Sequence, residues 1–288
     1  MIITRIVGGL GNQMFQYAAA RALAIANGAE LWVDLREMNK SKLRTFGLDQ
    51  FNIQARVANS FELPSRPRKS GLGSSILSAW DRRLPYKQIT ETSYAFNDSV
   101  TKLRGSFHLS GYWQSELYFQ ASAAAIRSDF TLRSPMSSAR EVVRADIEAS
   151  SSPISIHVRR GDYVTNLAAN AVHGTCEPEW YQEATRRMLE KVVDARFFVF
   201  SDDPQWAREN LKVPASTVFV EPRGDGRDGE DMHLMASCHH HIIANSSFSW
   251  WGAWLNPKVD KHVIAPRRWF RASEKDDRDL IPVGWIRM

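Results

Sequence analysis

The sequence predicts an α/β protein made of two doubly wound domains. Short runs of β-branched and aromatic residues alternate with helical patterns along both halves of the 288-residue chain, as expected for parallel strands joined by crossover helices. Hydrophobic residues form 43% of the chain, which is enough for substantial cores and excludes wholesale disorder. The second half repeats the rhythm of the first without an internal sequence repeat.

The first half opens with a strand, a glycine-rich turn, a helix and a second strand, which is the start of a parallel sheet. Residues 60–90 interrupt this order, because they are rich in Pro, Ser, Gly and Arg and predict an irregular or weakly helical insertion. The predicted elements are strands at 2–7, 31–34 and 107–113 and helices at 14–27 and 115–128.

The second half restarts the alternation of strands and helices. Its predicted strands lie at 154–159, 196–200, 217–220, 241–244 and 262–265, and its predicted helices at 179–193, 205–211, 230–237 and 248–255. The Ser-rich, charged stretch 134–152 separates the two halves. We therefore predict an N-terminal domain of residues 1–145 and a C-terminal domain of residues 146–288.

The formal net charge of +5 is concentrated in one segment, residues 64–88. Its basic residues are Arg66, Arg68, Lys69, Arg82, Arg83 and Lys87, and its one acid is Asp81. A nucleic-acid-binding domain would spread basic charge over a folded face, so we expect no nucleic-acid partner. The segment is either a solvated loop or a peripheral contact with anionic lipid headgroups or an acidic glycan.

The beginning of the chain shows no signal-peptide pattern, and no stretch reaches the length of apolar residues that a membrane span needs. Cys176 and Cys238 fit a reducing compartment and match no metal motif. These features predict a soluble, cytoplasmic protein, with the inner face of a membrane as a site of peripheral contact.

Polar residues end the first strand of the second half. Ile154, Ile156 and Val158 share one face, whereas Ser155, His157 and Arg159 share the other. The first face must be core, and the second opens onto the ligand crevice at the carboxyl end of a parallel strand. Arg159 is therefore placed to bind a phosphate through its guanidinium fork. Arg160 points to the opposite side, and an Arg160–Asp162 ion pair would hold the loop. An ion-paired strand end without a ligand is the alternative.

A second polar group follows the strand predicted at 241–244. Asn245, Ser246 and Ser247 precede the aromatic helix that starts at Phe248. Ser and Asn favour helix N-caps, and free amide N–H groups beyond a cap bind anions. The segment is therefore either a diphosphate site or an ordinary capped helix. The preceding histidines, 239–241, point to alternate faces of a strand, so we expect no metal site there.

The turn Gly8-Gly9-Leu10-Gly11-Asn12-Gln13 lies between the first strand and helix. It is neither a dinucleotide fingerprint nor a P-loop, since the third glycine and the Gly-Lys-Ser/Thr ending are missing. Glycines such as Gly9 and Gly11 still let a ligand approach the backbone. Asn12 and Gln13 can hydrogen-bond sugar hydroxyls, and a purely structural tight turn is the alternative.

Asp202 and Asp203 close the strand predicted at 196–200. They can bind a ribose or a purine, or they can cap the next helix. The chain contains no strand-end Asp-X-Asp, the pattern expected where a divalent ion holds a nucleotide-sugar diphosphate. We therefore expect an arginine and a helix N-terminus, and no metal cofactor, to stabilise a leaving diphosphate.

These segments together resemble the bacterial α-1,2-fucosyltransferases of glycosyltransferase family 11. The resemblance covers nearly the whole chain except residues 60–90. It is carried by Gly8–Ala18, Gly111–Glu116, His157–Tyr163, Ser201–Asp203, Asn245–Trp254, Asp279–Pro282 and Gly284–Ile286. It implies a GT-B-like fold, with two Rossmann-like domains facing across a cleft, the N-terminal one on the acceptor side. It also implies GDP-β-L-fucose as the donor, inversion at the anomeric carbon and no metal.

The resemblance also implies roles for single residues. Arg159 would bind the donor phosphate, with His157 near the nucleotide. Asn12 would lie near the reacting sugar and the acceptor. Asp203 and Asp231 would serve the nucleotide, and Ser246, Ser247 and Phe248 would line the diphosphate and the base.

The expected reaction is fucosyl transfer to the 2-hydroxyl of a terminal galactose in a β-galactoside glycan. GDP leaves with growing negative charge, which Arg159 and the start of the Phe248 helix would stabilise. His157 and Asp162 are candidates for the base, and a dissociative route with late proton loss is the alternative. A fucosyltransferase with another regiochemistry or a protein acceptor, and a non-catalytic glycan-binding protein, are the competing functions.

Overall fold

A computed structural model describes residues 1–40, 44–63, 84–214 and 216–288. The contacts divide the chain into two compact units, of which the first comprises Met1–Leu48 and Asn52–Phe130 and the second Asp49–Phe51 and Thr131–Met288. Each unit contains one parallel sheet. The predicted class, two α/β domains with parallel sheets, is therefore confirmed.

The first unit is built on a five-stranded sheet with the order β3-β2-β1-β5-β4. Its strands are β1 (Ile2–Arg5), β2 (Leu31–Asp34), β3 (Arg56–Val57), β4 (Lys87–Thr90) and β5 (Phe107–Ser110), and its α-helices are α1 (Leu10–Ala26), α2 (Asp98–Thr101) and α3 (Ala123–Asp129). All of its strand pairs are parallel. Strand β1 is central, with β2 and β3 on one side and β5 and β4 on the other.

The second unit is built on a six-stranded sheet with the order β11-β10-β9-β6-β7-β8. Its elements are α4 (Ser138–Glu148), β6 (Ser152–Val158), α5 (Gly161–Thr165), α6 (Leu167–His173), α7 (Pro178–Leu189), β7 (Ala195–Ser201), α8 (Pro204–Asn210), β8 (Ser216–Val220), α9 (Asp228–Ser237), β9 (His240–Ile242), α10 (Ser247–Leu255), β10 (Val263–Ala265) and β11 (Ile286–Arg287). All pairs are again parallel. Here the order reverses between β6 and β9.

The two units meet along the chain at Phe130 and Thr131, earlier than the predicted boundary between residues 145 and 146. The stretch 134–152, predicted as a linker, contains helix α4. This helix belongs to the second unit because Ile147 packs in a core cluster with Phe198 and Leu234, and because Arg140 pairs with Asp231. Of the charged residues of this helix, Arg140 is buried and Glu141, Arg144, Asp146 and Glu148 are half-buried or exposed.

The sheet of the second unit is buried on both faces. Ile154, Ile156 and Val158 lie in one core cluster, as predicted. On the opposite face, Ser155 and His157 are only 2% and 5% exposed. Burial of both faces is normal for a parallel sheet covered by helices. Only the carboxyl end of this second face, from Arg159 onward, is accessible.

Several element boundaries differ from the predicted ones. Helix α1 begins at Leu10 and not near Met14, because Gly9 is its N-cap and its carbonyl accepts from the Asn12 and Gln13 amides. Strand β5 ends at Ser110, because the Glu91 carboxylate accepts hydrogen bonds from the amides of Tyr112 and Trp113 (2.6 and 2.9 Å). The helix predicted at 115–128 is two 3₁₀ turns followed by α3.

Other elements carry weaker sequence signals. The short helices α5 and α6 follow the first strand of the second half, and the edge strands β3, β4 and β11 have only two to four residues. Strand β4 lies inside the predicted irregular segment 60–90. The basic segment 64–88 falls outside the described residues except for 84–88. Among the described helices, none is long and apolar enough to cross a membrane.

The three consecutive histidines occupy different environments, as their strand alternation predicts. His241 is fully buried and bonded through Nδ1 to Ser155 Oγ (2.8 Å) and through Nε2 to Asn256 Nδ2 (2.9 Å). Because the Asn256 amide nitrogen only donates, Nε2 accepts and the ring proton is on Nδ1. His239 pairs with Asp260 at 3.1 Å. Within the described ranges, no three His, Cys, Asp or Glu side chains are grouped to hold a metal.

We predict that the free energy of unfolding falls as the pH drops below about 6.5. Burial lowers the pKa of His241 far below its usual range and the pKa of His157 to about 3. Both pKa values are lower in the folded state, so the unfolded chain binds the protons first and stability is lost on acidification. Each such histidine contributes a slope of about 1.4 kcal/mol per pH unit.

Urea denaturation at pH 7.5, 6.5 and 5.5 measures this slope. His241→Gln should lower stability at pH 7.5 and make the pH dependence shallower by about 1 kcal/mol per pH unit. Parallel stability curves for the wild type and His241→Gln would contradict a neutral, buried His241.

Candidate active site

Arg159 lies at the carboxyl end of β6, clamped between two carboxylates. Its Nη2 is 2.5 Å from Asp162 Oδ1 and its Nη1 is 2.8 Å from Asp202 Oδ2. Although burial favours the neutral form, the charges of Asp202 and Asp162 raise the pKa of Arg159. The side chain is 22% exposed, so a ligand can still reach the guanidinium fork.

Arg160 points to the other side of the strand, as predicted, but its ion partner differs from the predicted one. Its Nε lies 3.1 Å from Asp203 Oδ2, and its guanidinium stacks 4.0 Å above the Trp206 ring. The predicted Arg160–Asp162 pair is wrong, because helix α5 starts at Gly161 and directs Asp162 back toward Arg159. The residue three positions before Asp162 on this turn is Arg159.

The turn after β6 is held by Asp202. Its Oδ1 accepts from the Arg160 amide at 2.8 Å, while Oδ2 bonds Arg159. A Cβ on Gly161 would lie 2.4 Å from Oδ2, so only glycine fits there. Three carboxylates thus surround two guanidinium groups, and the cluster is negatively charged before any ligand binds. An incoming phosphate must compete with Asp162 and Asp202 for Arg159.

His157 is buried beside Arg159, and its Nδ1 has no hydrogen-bond partner among the described residues. Its ring lies 5.6 Å from the Phe248 ring, which brings the end of β6 next to the start of α10. Burial and then the charge of Arg159 lower the pKa of His157 to about 3. The imidazole is therefore neutral at pH 7, a hydrogen-bonding group and a weak base.

The N-terminus of helix α10 is half-buried at the end of the sheet. Ser246 is its N-cap, and its hydroxyl accepts from the Phe248 amide at 3.3 Å. Ser247 and Phe248 are half-buried, so the first-turn amides can reach a ligand. Unsatisfied amides at such a position attract anions.

Asn245 has a structural role. Its Nδ2 donates to the carbonyls of His173 (2.8 Å), Gly174 (3.3 Å) and Trp269 (3.3 Å). The side chain is 3% exposed. It therefore ties three loops together beneath the N-terminus of α10 and is not available to a ligand in this arrangement.

Asp203 and Asp231 lie on the β7 and β8 side of the unit. Asp203 caps helix α8, since its Oδ1 accepts from the Trp206 amide at 3.2 Å, and it also pairs with Arg160. Asp231 on α9 lies 2.6 Å from Arg140 Nε. Burial nevertheless raises the pKa of Asp231 to about 6, against the opposing charge of Arg140. In the structure Asp231 is therefore paired with Arg140, and Asp203 is a helix cap.

The glycine-rich motif of the first unit connects the carboxyl end of β1 to helix α1. Gly8 has φ +83°, and a Cβ there would approach Asn12 Nδ2 at 2.9 Å, so glycine is required. Asn12 Oδ1 accepts from Gln114 Nε2 at 2.7 Å, which joins the ends of β1 and β5. Gly9 caps α1, and Gly11 is buried inside it.

Two acids at the same edge of the first unit were not identified from the sequence. Asp34 ends β2 and binds Arg36 (2.8 Å) and His108 (3.3 Å); burial opposes its ionised form, but these bonds lower the pKa of Asp34. Glu91 follows β4, and burial raises its pKa. The sequence signal that could have identified these two acids is their position after strands, at the edge where parallel sheets bind ligands.

Comparison with protein families gives one match over the full chain, residues 1–288, to the family described as glycosyl transferase family 11. An α-1,2-colitosyltransferase of Escherichia coli is 35% identical over 100% of this chain and 99% of its own length. The O-antigen biosynthesis glycosyltransferase WbnK of Escherichia coli is 30% identical over 98% of each chain. The mouse galactoside α-(1,2)-fucosyltransferase 1 is 26% identical, covering 86% of this chain and 61% of that protein.

A similar fold is found in the crystal structure of the α-1,6-fucosyltransferase NodZ soaked with GDP-fucose. It superimposes with a TM-score of 0.52 at 18% identity and covers 89% of this chain and 92% of that chain. This likeness and the two parallel sheets confirm the GT-B-like fold. Given the family match over every residue, this chain is a member of glycosyltransferase family 11.

Proposed function

We propose that this glycosyltransferase moves L-fucose from GDP-β-L-fucose to the 2-hydroxyl of a terminal β-galactoside, with inversion and without a metal. The observation that carries the proposal is the contact between the His157 and Phe248 rings, which brings the end of β6, where Arg159 lies, next to the N-terminus of α10. Relatives named for α-1,2 transfer of colitose and of fucose support the linkage.

In the proposed reaction, the galactose 2-oxygen attacks the anomeric carbon opposite the diphosphate. The new C–O bond forms as the bond from the anomeric carbon to the β-phosphate oxygen breaks, and its electron pair leaves with GDP. Arg159 and the N-terminal end of helix α10 stabilise the charge that grows on the diphosphate. Inversion of a β-L-fucosyl donor gives an α-L-linked product.

The proton of the attacking hydroxyl leaves late in this proposal. His157, one candidate base, has a pKa of about 3, and Asp162, the other, is bonded to Arg159. An efficient base has a pKa near the working pH and a free lone pair aimed at the proton. Neither candidate meets both conditions in the free protein, which favours departure of GDP ahead of proton transfer.

For the donor sugar there is one specific alternative to L-fucose, which is colitose. Colitose is L-fucose without its 3-hydroxyl, and the 35% identical relative is named for it. A site that hydrogen-bonds the 3-hydroxyl rejects the deoxy sugar strongly, because buried polar groups then lose their partners. An apolar site would accept both sugars.

Incubation of the protein with lactose and each GDP-sugar tests the donor and the linkage together. We expect transfer from GDP-fucose, and NMR of the product should show an α-1,2 linkage to galactose. A preference for GDP-colitose would show that the donated sugar is colitose and not fucose. An α-1,6 linkage would contradict the proposed transfer to the 2-hydroxyl. The matched control is 2′-deoxylactose, which lacks the accepting hydroxyl of the galactose and should receive no sugar.

We predict that Arg159→Lys lowers kcat at least about 100-fold, because a lysine keeps the charge but loses the fork that can bind phosphate and both aspartates. GDP release at saturating donor and acceptor measures kcat, and circular dichroism checks the fold. The matched control is Arg196→Lys, an ion-paired arginine of the same unit that bonds Asp146 at 2.7 Å. Equal rates for the two variants would remove Arg159 from the mechanism.

We predict that EDTA at millimolar concentration leaves the initial rate within about twofold. Arg159 and the α10 amides supply the positive potential that a divalent ion provides in other transferases. Rates measured before and after chelation, and again after addition of Mg²⁺ or Mn²⁺, give the comparison. A tenfold loss that a metal restores would refute the metal-independent mechanism.

A further inference from the structure

A cavity opens at the carboxyl edge of the six-stranded sheet, over strands β9 and β10. Its volume is about 360 Å³, within the range of small-ligand pockets. Its walls are the start of α7, the loop after β10 and the end of α6. Its lining includes His173, Glu177, Trp180, Arg267, Arg268 and Phe270.

A stack of rings separates this cavity from Arg159. The Arg159 guanidinium lies 5.2 Å from the Tyr163 ring centre, and Tyr163 stacks on His173 at 4.6 Å with an interplanar angle of 2°. His173 in turn contacts Phe270 at 5.7 Å. Arg159, His157 and the Ser246–Phe248 segment do not line the cavity. Asn245, which precedes the N-cap of α10, does line it, so the cavity lies directly beside the proposed donor site.

The rim of the cavity is basic. Most arginines of the second unit form ion pairs, but Arg267, Arg268 and Arg271 form none with the acids of the described ranges. All three are exposed at the cavity. Arg271 is partly engaged, since its Nη1 donates to Asn170 Oδ1 at 2.8 Å. Glu177 is the one acidic residue of the lining, so the rim has a positive excess.

The cavity wall combines apolar and polar groups. Trp180 and Phe270 supply ring faces and edges, which suit the C–H surface of a sugar. The His173 Nδ1 is buried and has no hydrogen-bond partner in the described part of the chain. Burial, then the charge of Lys275, lowers the pKa of His173, so the imidazole is a neutral hydrogen-bonding group. This wall suits a sugar ring that carries a negative charge.

We propose that this cavity binds an oxyanion, a phosphate or a carboxylate, on the part of the acceptor glycan remote from the accepting galactose. The inference rests on the proposed transfer to a galactoside. Unpaired guanidinium forks bind both oxyanions bidentately. The donor is assigned to Arg159 and α10, which leaves the neighbouring cavity for the second substrate. Arg267 and Arg268 then determine acceptor specificity.

Three acceptors that share one galactosyl disaccharide test the proposal, with 3-hydroxypropyl, 2-carboxyethyl and 3-phosphopropyl aglycones. We expect a KM about tenfold lower for one or both charged acceptors than for the neutral one. The double variant Arg267→Gln/Arg268→Gln should abolish this preference while leaving kcat within about twofold. Comparing the phosphate and the carboxylate acceptors identifies the source of the charge.

The matched control is Arg133→Gln, because Arg133 is also exposed and without an ion partner among the described acids but lies away from the cavity. It should leave every KM unchanged. Equal KM values for the three acceptors in the wild type would overturn the proposal. A rise in the KM for GDP-fucose with the neutral acceptor would also overturn it, by assigning the arginines to the donor.

Calorimetric titration of the charged and neutral acceptors in the presence of GDP separates this inference from the proposed function. Tighter binding of a charged acceptor, lost in the double variant, supports the cavity even if no sugar is transferred. Transfer to the neutral acceptor, with no tighter binding of the charged acceptors, would support the proposed function and refute the proposed oxyanion site.

Discussion

The reversal of strand order between β6 and β9 is the constraint on which the site depends. Because β6 continues to β7 on one side and β9 to β10 on the other, the connections leave both strand ends uncovered. This is why His157 and Phe248, about ninety residues apart in sequence, have rings 5.6 Å apart. In the first unit, the Asn12–Gln114 hydrogen bond joins the segments that follow the neighbouring strands β1 and β5.

The charged groups around Arg159 would allow it to exchange a carboxylate partner for a ligand. Arg159 is held by Asp162 and Asp202, and the aspartates outnumber the arginines around it. The clamp keeps the guanidinium in position without a ligand, which lowers the ordering cost of binding. A diphosphate that displaces one carboxylate replaces one charge-assisted hydrogen bond with another. The Gly161 turn preserves this geometry, since any side chain there would displace Asp202.

Much of this arrangement could be predicted from local pattern. Alternation along β6 correctly assigned Ile154, Ile156 and Val158 to the core and separated Arg159 from Arg160. The ion partner of Arg160 could not be predicted, because the direction of Asp162 depends on where α5 begins. The same holds for Asn245, a residue type that often binds ligands, because its amide donates to three carbonyls in two distant segments. Such long-range backbone contacts leave no trace in local sequence.

The electrostatics of the site bear on the order of bond breaking. A mechanism led by proton removal requires a basic group of suitable pKa, whereas burial keeps His157 neutral with a pKa of about 3. A mechanism led by departure of the diphosphate requires preorganised donors, and Arg159 together with the first turn of α10 provides them. The oxocarbenium-like sugar then makes the attacking hydroxyl more acidic as the new bond forms, so a weak base suffices. In the proposed transfer, the residues at this edge would therefore stabilise the leaving group more than they activate the nucleophile.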